Sequence, residues 1–187
     1  RPSFTYLISI MSPNFVHLYL IYILLSVLPA VVHAGEISIL RENGKLVIKA
    51  GEDLFTQYIY KDEQRSKPVL YPVIGPQQKA MTRKFPFEEK AEGEESDHPH
   101  HASLWYTHGD VNGVDFWAVG ENKGKIFHDE FLEMKEDSFT ASNFWKDGEG
   151  KTICQDKRKL SFFSFSKDER AIDIEITIMA TVEDLVL

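Results

Sequence analysis

The sequence predicts an all-β protein, an antiparallel β-sandwich, on three observations. Short runs that alternate apolar and polar residues recur along the chain, and turn dipeptides such as Asn-Gly separate them. No window has the spacing of an amphipathic helix. With 187 residues, 43% of them hydrophobic, the chain is long enough for one domain with a substantial core. We therefore expect many short strands, joined by turns, in two packed sheets.

The first 34 residues are predicted to lie outside this fold. Residues 18–28 form an apolar run with the length of a signal-peptide core, and residues 32–34 supply a cleavage site. We interpret residues 11–34 as a secretory signal, residues 1–10 as translated sequence upstream of the start, and residues 35–187 as the β-sandwich domain. The protein is then exported to the periplasm or the extracellular space. The alternative is an uncleaved anchor, although the run is short for a span of about 20 residues.

Charge and cysteine content narrow the possible partners. The formal net charge is −8, with both signs mixed along the chain, which argues against nucleic acid or an anionic membrane surface as a partner. The single cysteine, Cys154, excludes an internal disulfide and is expected to be a buried thiol.

The first three strands follow from local patterns. Residues 36–40 and 45–49 alternate and flank Asn43-Gly44, the dipeptide typical of a two-residue type I′ hairpin turn. Pairing across this turn places Ile39 opposite Ile48 and Ile37 opposite Ala50, which gives one apolar face. A third strand is predicted at residues 57–60. Residues 67–76 contain three prolines and are predicted to be an edge strand or a connecting arm.

The later elements are read in the same way. Residues 88–96 are acidic and predicted to be a loop, and residues 104–106 and 114–119 are predicted strands. Residues 159–165 and 171–179 form two further strands around a turn at residues 168–170, with a bulge expected at Phe162 and Phe163. The second of these strands carries four isoleucines on one face. Residues 182–187 begin to look like another strand, so we expect the sheet to be truncated at the C-terminus.

The candidate functional site is the histidine-rich segment DHPHH at residues 97–101, followed by HGDVNGVDFW at residues 108–117. Histidines carry protons near neutral pH and bind borderline metals, so two chemistries fit this segment. In acid/base chemistry one imidazole is the base, a second is the acid, and a carboxylate orients them. The candidate catalytic residues are His98, His100, His101, His108, Asp97 and Asp115.

The second chemistry is metal binding. In an extended segment His98 and His100 point the same way and could hold a divalent metal together with a carboxylate, whereas His101 points the other way. A third interpretation is that the histidines have a structural role, as hydrogen-bonded residues of a polar core. His128, in a separate segment, is a further candidate of the same residue type.

Residues that could bind a ligand lie around the histidines. Aromatic faces beside polar side chains suit stacking on sugar rings, although strands also use aromatics for their core. A guanidinium can bind a carboxylate or a hydroxyl of a ligand, and a surface salt bridge is the alternative. The candidate ligand-binding residues are Arg83, Trp105, Asn112 and Trp117.

Four motifs in order identify a resemblance: KPVLYP at residues 67–72, TRKFP at 82–86, DHPHHASLW at 97–105 and HGDVNGVDFW at 108–117. From about Tyr58 onward the chain resembles the PmoA-like "methane oxygenase" family, exported proteins typical of planctomycetes. Two departures stand out. Many relatives carry arginine directly after the histidine pair, where this chain has Ala102, and they continue beyond the position of residues 182–187.

The resemblance implies a fold and two kinds of chemistry. The family's β-rich, histidine-centred pattern implies a sugar-directed supersandwich similar to galactose-mutarotase-like proteins. Its label implies copper and methane, but one short apolar run cannot supply a multi-span membrane subunit. We therefore expect acid/base chemistry on a carbohydrate, namely epimerisation, elimination or hydrolysis. The alternatives are a metal-dependent, oxygenase-like enzyme and a non-catalytic glycan-binding module. The expected partner is a glycan or another small molecule.

Overall fold

The structure, a computed structural model, describes residues 35–181 and 184–187, which form two antiparallel β-sheets. The predicted all-β sandwich is confirmed. The predicted upstream segment at residues 1–10 and the predicted signal at residues 11–34 lie outside the described residues. Within the described ranges, no helix is long and apolar enough to cross a bilayer.

Each sheet follows chain order. The first sheet contains β1 (Ile37–Glu42), β2 (Lys45–Ala50), β3 (Asp53–Ile59), β4 (Val69–Val73) and β5 (Leu104–Trp105). The second sheet contains β6 (Lys125–Met134), β7 (Ser138–Lys146), β8 (Thr152–Ser166) and β9 (Glu169–Ala180). A short 3₁₀ turn, Pro76–Gln78, follows β4. Residues 88–96 form a loop, as predicted.

The first hairpin has the predicted register but a different turn. Ile39 pairs with Ile48 and Ile37 pairs with Ala50, as expected from the alternation. Only Gly44 of the two turn residues adopts a left-handed conformation, with φ of 76°, so the turn is not type I′. The carbonyl of Gly44 accepts hydrogen bonds from the backbone N–H groups of Tyr60 and Lys61, at 3.0 and 3.1 Å. These hydrogen bonds attach the turn to the segment that directly follows β3.

The pairing of strand β4 explains how the proline-containing segment 67–76 fits into the first sheet. It pairs with β3 on one side, and on the other side only Val69 and Leu70 pair with β5. Pro72 lies beyond that short pairing, where no backbone N–H is needed for the ladder. The segment is therefore an inner strand at its start and an edge strand at its end, not an edge throughout.

Two predicted strands are wrong. Residues 114–119 form a loop, because the Asp115 carboxylate accepts hydrogen bonds from the N–H groups of Trp117 and Ala118, which curls the chain. Residues 184–187 are not in a strand either. Val186 instead pairs with Asn112, whose backbone N–H bonds to the Val186 carbonyl at 3.0 Å.

The last hairpin also departs from the prediction in detail. Phe162 and Phe163 pair in register with Ile172 and Ala171, and the irregularity falls between Ser164 and Ser166. The turn is at residues 167–168, one position earlier than predicted. The four isoleucines alternate along β9, but this edge strand is only partly covered. Ile174, for example, is 37% exposed.

The main core lies between the two sheets. Side chains from both inner faces meet there: Leu46, Ile48, Phe55 and Tyr58 from the first sheet, and Phe139, Ala141, Leu160 and Phe162 from the second. A second cluster packs residues of the 107–117 loop against the second sheet. Cys154 belongs to this second cluster and is fully buried, as predicted. Burial raises the pKa of its thiol to about 11.

Candidate functional site

A tight turn brings the three neighbouring histidines together. His98 adopts a left-handed conformation with φ of 45°, and the N–H of His101 bonds to the His98 carbonyl at 2.9 Å. The rings of His98 and His101 stack with centroids 5.0 Å apart, and the ring of His100 lies 4.4 Å from that of His101. The extended segment predicted from the sequence is therefore wrong. A turn, not alternation, decides where these side chains point.

Asp97 and Arg83 fix this turn. The Arg83 guanidinium donates to an Asp97 carboxylate oxygen at 3.0 Å and to the backbone carbonyls of Asp97 and His98 at 2.8 and 3.0 Å. The other Asp97 carboxylate oxygen contacts Nδ1 of His98. The hydrogen bond to His98, helped by Arg83, holds the pKa of Asp97 below its ordinary value. Arg83 therefore holds the loop, and Asp97 orients an imidazole.

Two tryptophans form a wall beside the imidazoles. The Trp117 ring lies 6.2 Å from His100 and 6.0 Å from His101, and Trp105 meets Trp117 edge to face at 4.9 Å. Trp117 is 44% exposed, so its indole is open to a ligand. We call His98, His100, His101, Trp105 and Trp117 the histidine cluster.

A buried lysine, Lys67, supports this wall. Its Nζ lies 4.6 Å from the Trp105 ring centroid and donates to the carbonyls of Phe116 and Trp117 at 2.7 and 3.1 Å. Burial lowers the pKa of Lys67 to about 8. Burial, then the neighbouring imidazoles and Lys67, also lower the pKa of His100. His100 is therefore a neutral imidazole at pH 7.

Three predicted site residues make their contacts outside the histidine cluster. His108 is not stacked with the cluster, and its Nδ1 lies 3.0 Å from the Asp110 carbonyl. The Asn112 side chain bonds to the backbone of Asp184 and Val186, at 3.2 and 2.7 Å. The Asp115 carboxylate curls its own loop and pairs with a lysine at 2.8 Å, and that lysine chiefly lowers its pKa. The structure thus unites Arg83, Asp97 and the cluster, but not these three.

Sequence reasoning missed a buried polar network behind the core. Asp156 is fully buried, and its carboxylate accepts hydrogen bonds from Asn143 Nδ2 at 2.7 Å and from Trp145 Nε1 at 2.6 Å. Arg158, 3% exposed, donates to the same carboxylate at 3.0 and 2.5 Å. A signal existed: both residues fall in the alternation of Cys154 and Leu160, which places them on the inner face.

The donor geometry around His98 and His100 bears on the predicted metal site. In residues 35–181 and 184–187, no three or more His, Cys, Asp or Glu side chains are placed to hold one ion. Both carboxylate oxygens of Asp97 are engaged, one by Arg83 and one by His98. The side chains around His98 and His100 therefore do not fit a protein-held divalent ion.

Comparison with known proteins gives one match. The model of a family described as a family of unknown function, DUF6807, matches residues 45–187. No curated protein and no solved structure matches the chain. The resemblance to PmoA-like proteins and to the galactose-mutarotase-like fold therefore stays a prediction.

Proposed function

The chain belongs to the DUF6807 family of unknown function, and we propose that it acts on a carbohydrate by histidine-based acid/base chemistry. The observation that carries this proposal is the Asp97–His98 pair, set beside two further imidazoles and an exposed Trp117. A carboxylate that orients an imidazole next to an open aromatic face is a combination suited to moving protons on a sugar ring.

The proposed base is His98. Its Nδ1–H donates to Asp97, which selects the tautomer whose Nε2 is free to accept a proton from a hydroxyl or a carbon. The His98 side chain is 56% exposed, so a ligand can reach it. The proton can return from His101, whose ring centroid lies 5.0 Å from that of His98.

Trp117 is the proposed platform for the sugar ring. Its indole meets the imidazoles edge to face and packs against Trp105, while the Lys67 ammonium bonds to the Trp117 backbone carbonyl. Carbohydrates present C–H faces that pack on aromatic rings and hydroxyls that bond to nearby polar groups. A ligand on this wall would therefore lie against the acid/base residues.

Resemblance to the exported PmoA-like proteins supports the same proposal and, with it, a periplasmic or extracellular location. A non-catalytic glycan-binding module is the second candidate, because the exposed Trp117 would serve binding even without proton transfer. The two candidates differ in what the histidines contribute, which is what the experiment measures.

The test assays the purified full chain for three reactions. These are mutarotation of D-galactose and D-glucose by polarimetry, elimination on polygalacturonate by ultraviolet absorbance, and hydrolysis of plant polysaccharides by release of reducing ends. We expect one activity that falls about 100-fold or more in His98→Gln, because that variant removes the base. Lys90→Gln, an exposed residue of the neighbouring loop, should keep the full rate.

The outcomes separate the candidates. A folded chain with no activity, or one whose activity survives His98→Gln, refutes the acid/base proposal. Glycan binding that persists in His98→Gln but disappears in Trp117→Ala supports the binding module. Elemental analysis of the same preparation covers the metal alternative. Near one equivalent of copper, iron or zinc, lost in His100→Ala, would favour a metalloenzyme.

A further inference from the structure

A second concave surface lies where the two sheets separate. The cleft has a volume of about 940 Å³ and is lined by the β1–β2 turn, by residues 59–63, 65 and 67, and by residues 125–131 of β6. At one end the sheets are joined by a hydrogen bond from the Ile126 N–H to the Ser66 carbonyl, at 2.7 Å. This volume is at the upper end of the range typical of small-molecule sites. None of its lining residues belongs to the histidine cluster, although Lys67 contacts the Trp105 ring of that cluster.

The floor of the cleft is aromatic. The rings of Tyr60, His128 and Phe131 contact one another with centroids 4.4 to 5.0 Å apart. The Arg41 guanidinium lies 5.2 Å from the Phe131 ring centroid and closes one side. Such a floor offers apolar faces on which a ring with axial C–H groups can pack.

His128 is the polar group of this floor. Burial lowers its pKa to about 4, a shift that Asp129 opposes and that Arg41 and Arg158 reinforce. The imidazole is therefore neutral at pH 7 and offers one donor and one acceptor. Among the described residues, Nδ1 of His128 is buried without a hydrogen-bond partner in normal geometry, as is Oδ1 of Asn143, the residue opposite it on β7.

The walls carry five cations and five anions. The cations are Arg41, Lys61, Arg65, Lys67 and Lys125, and the anions are Glu42, Asp62, Glu63, Asp129 and Glu130. The Lys67 ammonium is engaged with the carbonyls of Phe116 and Trp117, and Arg65 lies 3.5 Å from Asp62. The balance gives no strong field for a charged ligand, yet it supplies many donors and acceptors for hydroxyls.

We propose that this cleft binds a neutral oligosaccharide, with one sugar ring packed on Tyr60 and His128 and with hydroxyls bonded to the charged walls. An aromatic floor recognises the sugar face, and mixed-charge walls recognise hydroxyls without selecting a net charge. The cleft volume of about 940 Å³ suits a chain of sugars more than a single ring. The inference goes beyond the proposed function because it requires no acid/base chemistry and stands on other residues.

The test is isothermal titration of the full chain with cellohexaose, xylohexaose and mannohexaose, with trigalacturonate as the charged probe. We expect one neutral hexasaccharide to bind, and Tyr60→Ala to weaken its Kd about tenfold through loss of the ring contact. Arg41→Gln, at an exposed position, should weaken binding about threefold. Lys157→Gln, exposed on the outer face of β8, should leave the Kd unchanged.

Thermal melting checks that each variant is folded. If Tyr60→Ala does not fold, the Kd values of Arg41→Gln and His128→Gln test the inference in its place. The inference is overturned if no neutral hexasaccharide binds, if trigalacturonate binds more tightly, or if the cleft variants keep the wild-type Kd. Binding lost only in Trp117→Ala would place the sugar at the histidine cluster, which favours the proposed function and not the cleft. Loss of activity in His98→Gln with hexasaccharide binding intact would support both.

Discussion

Replacing Asp156 by Asn should remove a large part of the stability of the fold. Asp156 is 0% exposed and its partner Arg158 is 3% exposed, so neither charge is compensated by water. Four hydrogen bonds of 2.5 to 3.0 Å converge on the carboxylate, from Asn143, Trp145 and Arg158. Every one of these partners is a donor, so the position requires an acceptor on both oxygens.

The size of the loss follows from this geometry. An Asn side chain keeps one oxygen, but its NH₂ group must face donors where the carboxylate accepted hydrogen bonds. Arg158 is then a buried cation without a counter-charge. Breaking a buried ion pair from one side costs about 3–5 kcal/mol, against about 5–15 kcal/mol for a whole domain. We expect Asp156→Asn to lower the free energy of unfolding by about 3–5 kcal/mol.

Urea unfolding followed by tryptophan fluorescence measures this loss. The matched control is Glu133→Gln, because Glu133 pairs with Lys135 at 3.0 Å with both side chains about half exposed, and it should cost less than about 1 kcal/mol. The double variant Asp156→Asn/Arg158→Met should recover much of the stability, since it removes the unpaired charge. A loss for Asp156→Asn as small as the control, or a double variant as unstable as the sum of its parts, would refute the reasoning.

Two further predictions use the same assay. Gly124→Ala should cost about 1–3 kcal/mol, because its Cβ would lie 2.4 Å from the buried Phe116 ring. Gly109→Ala, whose Cβ would meet no atom of the described residues within 4 Å, should cost less than about 0.5 kcal/mol, and equal losses would contradict the packing argument. His128 has a pKa of about 4 in the fold, below its ordinary 6.5, so the unfolded chain binds its proton more readily. Stability should fall by up to about 3 kcal/mol as the pH drops from about 6.5 to 4, and a His128→Gln variant with the same pH dependence would contradict this.

Local patterns predicted the parts of the fold that local interactions determine. The alternation around Asn43-Gly44 gave the register of β1 and β2, because a one-residue slip would expose the apolar face. The turn type was wrong, since contacts from Tyr60 and Lys61 hold Gly44 from outside the hairpin. Residues 114–119 were misread for a related reason, because Asp115 curls a segment whose composition resembles a strand.

The histidine cluster was found from its composition but not from its geometry. Three imidazoles within four residues mark the place, whereas the turn that unites them depends on Arg83, which bonds across 14 and 15 positions. No local period contains that information. Asp156 and Arg158 were missed for another reason. The predicted strand began only at residue 159, so the alternation of these two residues with Cys154 was not recognised as part of β8. Charged residues are also normally assigned to the surface, whereas these two are buried.

Lys67 shows why the two candidate sites could not be related from the sequence. Residue 67 lines the cleft, while its Nζ bonds to Phe116 and Trp117 carbonyls at the back of the histidine cluster. The residue before it, Ser66, accepts the hydrogen bond from Ile126 that joins β6 to the first sheet. The cleft and the cluster therefore meet at one junction, made by residues about 50 to 60 positions apart in the chain. The Lys67 side chain is therefore a direct physical contact between the cleft and the loop that carries Trp117.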